Sequence, residues 1–372
     1  MSNLHICFIC VEIFAWGKYG GYGRATRTIG RELVRRGYQV SAIIPRRGNQ
    51  APVEVLDGIS VYGFDIKDIR SSLEVFRSVK ADIYHSQEPS TGTWLAQQVH
   101  PEKKHIITFR DTHFLSDWLV ELRNPSLNPL QVLFNWMYED NWWVHRAVHR
   151  ADARVAAAIL MQDRAVRRYH LREVPAHLPT PVRVPERVEK ATEPTVCFVA
   201  RWDRRKRPEL ALALAKKFPQ VRFIIAGASR DKGYDAALRK EFAALPNVEL
   251  PGLVDQFAGD GLERILSRSW ILLNTAAREG LPNSFIEACA SRCAVLSSVD
   301  PDSFANQFGY YAKQDDFIAG LNWLLSEDRW RAHGQDGYEY VRRVYEMDAA
   351  MRQHEEVYQK LSITGKYNWT GN

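Results

Sequence analysis

Cations and carboxylates grouped after two apolar runs carry the strongest chemical signal in this chain. Arg201-Trp202-Asp203-Arg204-Arg205-Lys206-Arg207 follows the run 195–200, and Arg278-Glu279-Gly280-Leu281-Pro282-Asn283-Ser284-Phe285-Ile286-Glu287 follows the run 270–274. Open parallel sheets bind ligands at the carboxyl ends of their strands. Basic residues such as Arg201 and Lys206 at such an edge would neutralise a diphosphate and assist a departing phosphate. A solvated charge run looks the same in sequence. In the second segment Glu279 falls in a strand-to-helix loop. The amides of Gly280, Leu281, Asn283 and Ser284 would surround the N-terminus of a helix opening near Pro282, which suits a phosphate. Glu287 lies about one turn inside that helix, where it would accept from ligand hydroxyls or simply complement the helix dipole. A third segment, Gly20-Gly21-Tyr22-Gly23-Arg24, joins the first apolar run to the first helical pattern. Its glycines permit a tight turn and close approach of a ligand to backbone. It is not the dinucleotide fingerprint, because the third glycine is replaced by a basic residue. It also reads as an ordinary glycine turn.

The paired carboxylates alone would also fit a glycoside hydrolase, which needs an acid and a nucleophile or base about the glycosidic bond. A hydrolase has no need for a basic strand end or two glycine-turn anion sites, so the three segments together suit a diphosphate sugar better.

These residues need strands and helices to position them. Strand-like runs occur at 5–11, 40–44, 81–85 and 105–109, and again at 195–200, 222–226, 248–250, 270–274 and 294–298. Helical patterns lie between most of them: Ala25, Ile29 and Leu33 share a face that Gly37 is placed to stop, and 210–218 is another. Such alternation predicts an α/β fold of two Rossmann-like parallel-sheet domains with helices on both faces, and a central cleft between them. Prolines at 175, 179, 181, 185 and 194 break the pattern, since proline removes an amide donor and fixes φ. The expected domains are 1–175, a linker at 176–194, 195–340, and a C-terminal helix and tail at 341–372, with the helical pattern itself running over 336–361. Asn368-Trp369-Thr370 in the tail matches a glycosylation sequon, a pattern without meaning in a cytoplasmic protein.

A chain of 372 residues, 45% hydrophobic and 25% charged, reads as globular with two cores. No run approaches a membrane span, and the N-terminus lacks a signal-peptide pattern, so the expectation is a cytoplasmic protein. Cys7 and Cys10 have CxxC spacing within an apolar strand, but no second ligand pair appears; with Cys197, Cys289 and Cys293 they read as buried thiols. Asp300-Pro301-Asp302 reads as a proline turn rather than a metal site, and no metal is expected. The net charge of +6 fits a phosphate-bearing ligand or an anionic membrane surface. No zinc-finger, basic-zipper or aromatic RNA-binding signature supports nucleic acid.

In combination the segments resemble the retaining GT-B glycosyltransferases of glycosyltransferase family four, over most of the chain. The most specific piece is Glu279 and Glu287 within Glu-Gly-Leu-Pro and Ala288-Cys289-Ala290-Ser291, with Arg201…Lys206 and Gly20-Gly21 in the matching order. The resemblance implies catalytic roles for Arg201, Lys206 and Glu279. It implies donor contacts from Gly20, Gly21, Gly280, Leu281, Pro282, Asn283, Ser284 and Glu287. Glu279 would touch the sugar hydroxyls, and Glu287 the ribose. It also implies a nucleotide-diphosphate sugar as co-substrate, no cofactor, no metal, retention at the anomeric carbon, and a final helix crossing back to the first domain.

One departure stands out. Where the family carries Thr-x-His-Asp, this chain has Thr108-Phe109-Arg110-Asp111. Arginine donates but cannot act as a base. His113 could substitute or be an ordinary loop histidine, and His85 could face the acceptor or cap its strand. A nucleotide-sugar-binding protein without turnover is therefore the alternative. The acceptor reads as a glycan, a lipid-linked molecule or a small molecule. The aromatic stretch 114–145, followed by Arg146, His149, Arg150, Arg164, Arg167 and Arg168, fits helical core, a protein-partner patch, or peripheral contact with the cytoplasmic face of a membrane.

Overall fold

The computed structural model describes residues 4–126 and 128–365. The sequon at 368–370 lies outside the described residues, as does most of the tail. In chain order the first part comprises β1 (His5–Ile9), α1 (Gly21–Arg35), β2 (Gln39–Pro45), β3 (Val53–Leu56), β4 (Ile59–Phe64), α2 (Ile69–Ser78), β5 (Ile83–Ser86), α3 (Thr91–Val99), β6 (Lys104–Phe109), α4 (Leu115–Arg123), α5 (Pro129–Glu139), α6 (Trp142–Arg150), β7 (Ala153–Ala156), α7 (Ile159–Tyr169) and β8 (Ala176–His177). There follow β9 (Thr195–Val199), α8 (Pro208–Lys217), β10 (Arg222–Ala226), α9 (Lys232–Ala243), β11 (Val248–Gly252), α10 (Gly261–Arg268), β12 (Ile271–Asn274), α11 (Asn283–Ala290), β13 (Ala294–Ser297), α12 (Phe304–Phe308), β14 (Gly309–Tyr311), α13 (Phe317–Leu325), α14 (Arg329–Val344) and α15 (Met347–Thr364).

These elements form two α/β units. The first takes the chain up to His113, then Phe134–Pro181 and everything from Met347; the second takes Phe114–Leu133 and Val182–Glu346. The boundary at Pro181–Val182 thus falls inside the proline-rich stretch. That stretch is structured: β8 pairs with β7, and the Ala191 amide donates to Arg268 O in the second unit.

The first sheet has the order β3-β4-β2-β1-β5-β6-β7-β8 and the second β11-β10-β9-β12-β13-β14. All pairs are parallel except β3 with β4. That edge hairpin turns at Asp57-Gly58, both at positive φ, a turn type that Asp-Gly supplies readily. Each central strand is buried on both faces: Ile6, Cys7 and Phe8 in β1 and Val196 and Cys197 in β9 are fully buried. Helices cover them through one apolar stripe each. In α1 the buried set includes Ala25, Ile29 and Leu33, and the helix ends at Arg36 before Gly37 at φ +86°. Around Ile6, Phe8, Ile29 and Leu33 the first core is completed by Met351, Val357, Tyr358 and Leu361 of α15.

The helical pattern over 336–361 is two helices rather than one. The carbonyl of Tyr345 accepts from the Val182 amide, and Glu346 bridges to Val182. Losing that carbonyl to an outside donor stops the intrahelical ladder there.

In both sheets the chain builds outward one way and then the other. The order reverses between β1 and β5 in the first sheet and between β9 and β12 in the second. Loops leaving the carboxyl ends of these strand pairs therefore border a topological switch point, where open α/β sheets bind ligands.

Candidate functional site

In the second unit, the two segments with the strongest chemical signal are the loops that flank its switch point. They are stitched together by backbone. The Ala277 amide donates to Arg205 O at 2.9 Å, and the Thr275 hydroxyl donates to Lys206 O at 2.6 Å. Arg207, at φ +48°, precedes Pro208 at the first position of α8, where proline's missing amide costs nothing. Its Nε donates to Thr275 O, and its two Nη atoms hold Asp315 at 2.6 and 2.7 Å. Arg207 is therefore a clamp on the loop rather than a group aimed at ligand.

The clamp brings Lys206 and Glu279 together: Nζ of Lys206 donates to the Glu279 carboxylate, and both side chains are largely buried. Asp203, also buried, accepts the Lys206 amide at 3.0 Å and the Ser126 hydroxyl at 3.1 Å, and lies 3.5 Å from Arg201. Burial alone would raise its pKa, but Arg201, Arg205 and Lys206 overcome this and hold it below the usual carboxylate range. Trp202, fully buried, packs into the core beneath. Arg278 Nε donates to Asp117 at 2.9 Å, and Arg205 pairs with Glu121. The acidic side of α4 thus sits on the loops after β9 and β12, which explains why Phe114–Leu133 belongs with the second unit. Pro282 caps α11, and the amides at its start come from Asn283 and Ser284, after the buried Gly280 and the half-buried Leu281. Glu287 is half-buried one turn into α11. The structure therefore brings Arg201, Lys206, Glu279, Gly280–Ser284 and Glu287 to one sheet edge.

In the first unit the Gly20-Gly21 loop has an internal tenant. Glu12, buried, accepts the Gly23 amide at 3.0 Å, and Lys18 lies 3.7 Å from its other oxygen. A Cβ on Gly20 would meet Glu12 Oε1 at 2.1 Å, and one on Gly23 would meet the Phe14 amide nitrogen at 2.4 Å. These glycines admit the chain's own carboxylate to the N-terminus of α1, a role that the spacing of Gly20 and Gly21 does not reveal.

His85 is fully buried. Its ring nitrogens meet the Tyr358 hydroxyl at 2.8 Å and the Thr108 hydroxyl at 2.6 Å, and burial pushes its pKa well below the usual histidine value. It joins β5 and β6 to α15, and its ring is shut away from solvent. His113 lies 4.0 Å from Asp111, both half-buried. Arg110 turns inward: Nη1 donates to Thr180 at 2.9 Å and Nη2 to Gln87 at 2.7 Å.

The residue that sequence reasoning missed is Glu88, just past the carboxyl end of β5. Its Oε2 accepts the amides of Arg110 at 2.6 Å and Asp111 at 3.1 Å, with the Tyr22 hydroxyl at 3.4 Å. Burial raises its pKa to about 8, against those amides. Oε1 takes no hydrogen bond from any described residue. The signal available was its place: Gln87-Glu88 ends a strand beside the loop after β1, so the two flank the first switch point.

Asp300-Pro301-Asp302 forms the expected turn, with Asp300 accepting the amides of Ala305 and Asn306. All five cysteines are buried thiols.

The fold has counterparts among known proteins. Residues 19–183 match the model described as glycosyltransferase family 4, and residues 183–333 the model described as glycosyl transferases group 1. Together the two models span most of the chain, which belongs to the GT-B glycosyltransferases. Among solved structures, a sucrose-phosphate synthase from Thermosynechococcus elongatus is similar at a TM-score of 0.74 and 17% identity, over 96% of this chain and 99% of that one. Anabaena Alr3699/HepE, solved in complex with UDP and glucose, gives 0.69 at 13% identity over 96% and 100%. The lipopolysaccharide outer core galactosyltransferase WaaB gives 0.64 at 13% identity over 96% and 100%. No curated protein matches by sequence.

Proposed function

We propose that this chain moves a hexosyl group from a nucleotide-diphosphate sugar to a glycan, lipid-linked or small-molecule acceptor, with retention and without a metal. The observation that carries this reading is the meeting of Lys206 and Glu279 at the second switch point, beside Arg201 and the N-terminus of α11. In this reading Arg201 and Lys206 take the diphosphate and stabilise the leaving nucleotide. Glu279, released from Lys206, accepts from donor-sugar hydroxyls. Gly280, Leu281, Pro282, Asn283 and Ser284 line the sugar and phosphate, and Glu287 takes the ribose hydroxyls. The acceptor hydroxyl attacks on the face that the phosphate leaves, and the phosphate oxygen receives its proton. The UDP-bearing relative supports a nucleotide donor. Gly20 and Gly21 keep their donor role in this reading only if Glu12 yields the amides at the start of α1.

A second reading is a nucleotide-sugar-binding protein without turnover. It is favoured by the inward turn of Arg110, whose Nη atoms are both taken by Thr180 and Gln87. A thermal-shift screen against UDP, GDP, ADP and their sugar conjugates, in EDTA, tests binding. At a hundredfold excess over the dissociation constant, a ligand that binds only the native state stabilises it by about 2.7 kcal/mol. The expected result is a rise with one nucleotide family, followed by sugar transfer from the best conjugate. Binding with no transfer or hydrolysis supports the second reading. No rise with any of them contradicts both.

A further inference from the structure

Helix α5 wears its apolar face outward. Leu130, Leu133, Phe134 and Met137 fall at the spacing of one helical face, and each is exposed: Leu130 75%, Met137 71%. Core packing, one reading of this stretch, holds for Val132 on α5 and Trp118 on α4 and fails for these four. Helix α6 continues the surface. It buries Val144, Ala147 and Val148 and exposes Trp142 and Trp143, the former at 67%. Its remaining exposed side chains include Arg146 and Arg150. The Arg146 guanidinium lies 5.5 Å from the centre of the Trp142 ring, and neither arginine has a carboxylate partner among the described residues. Asp140, between the two helices in sequence, is held by Arg168 and His145.

We infer that α5 and the exposed face of α6 dock on a bilayer containing anionic phospholipid. An interfacial helix carries a bulky apolar face bordered by cations, and tryptophan settles where apolar and polar layers meet. Unpaired arginines beside such a face complement an anionic leaflet. A second protein would bury the same apolar area but would leave Arg146 and Arg150 needing carboxylates of its own. No described helix is long and apolar enough to cross a membrane, so contact is by this surface. The inference deepens the acceptor side of the proposed function by pointing to a membrane-borne acceptor, and it does not depend on the donor loops.

The test is co-sedimentation with vesicles of phosphatidylcholine alone and of phosphatidylcholine with a quarter phosphatidylglycerol, at low and high salt. The wild type is expected to partition at least about tenfold better onto the anionic vesicles at low salt, and to lose that preference at high salt. Met137→Ser with Trp142→Ser is expected to lower binding at least about tenfold, and Arg146→Glu with Arg150→Glu to erase the lipid preference. Unchanged melting temperatures would show that both double variants fold. Failure of the wild type to bind anionic vesicles, or variants that bind as it does, overturns the proposal. So does a dimer that the Met137, Trp142 variant dissolves without any vesicle binding, since the surface then belongs to a second copy. Donor binding in the nucleotide screen stands or falls separately.

Discussion

Lys206 and Glu279 are 73 residues apart in sequence and meet as an ion pair on the loops after β9 and β12. Neither is held by its own loop alone: Arg207 fixes one loop against Thr275 and Asp315, and the pair closes over that seam. In the proposed function these two side chains take the leaving phosphate and the donor sugar, and in the structure they neutralise each other.

Lys206→Ala and Glu279→Gln should each lower transfer from the preferred donor by at least about a hundredfold, with fold retained. In thermal unfolding the double variant should recover about 0.5–3 kcal/mol relative to the sum of the singles, because each single leaves one largely buried charge without its partner. Strict additivity would mean that the pair does not form in solution. Wild-type rates from either single would remove the site assignment.

The Glu12 carboxylate at the start of α1 makes a prediction about a glycine. In the wild type, Gly20→Ala should push that carboxylate off the Gly23 amide and cost about 1.5–3 kcal/mol, the worth of a hydrogen bond to a charged group. In a Glu12→Ala background the three atoms nearest the added methyl are gone, and its cost should largely vanish. Urea denaturation of the four proteins measures this. An equal cost in both backgrounds would show that Gly20 serves something other than Glu12.

Glu88 sets a pH dependence. Its folded pKa of about 8 lies above the ordinary carboxylate value, so between these limits the folded state holds a proton that the unfolded state has released. Stability must then fall as pH rises from about 5 towards 8. Glu88→Gln removes this titration. Its melting temperature relative to the wild type should therefore climb across that window, read by scanning calorimetry at several pH values. A constant difference would place the Glu88 pKa in the ordinary range.

Much of this was legible in the sequence because it is local. Strand periodicity placed the central strands of both sheets to within a residue or two, and the segments at 201–207 and 278–287 were found where strand ends had to put them. Asp57-Gly58 was a readable hairpin signal that alternation of longer elements obscured. What sequence could not supply were partners chosen by the fold. The carboxylate filling the Gly20 turn comes from a loop residue with no marking of its own. Asp117 and Glu121 reach Arg278 and Arg205 from 161 and 84 residues away, so an apparently first-domain helix joins the second unit. His85 ends its strand as expected, but the helix that buries it, through Tyr358, lies 273 residues further on.

That distant helix has a consequence for how the protein is made. Met351, Val357, Tyr358 and Leu361 close the core around Ile6 and Phe8, and His354, its pKa lowered to about 3 by burial, reaches back to Pro179 O at 3.1 Å. On the ribosome the first sheet emerges before the second unit, yet one wall of its core is synthesised only after that unit. A nascent chain must therefore carry an uncovered apolar face throughout the synthesis of the second unit. A fragment ending near residue 181 should need chaperone protection, or α15 added back as a peptide, to stay in solution.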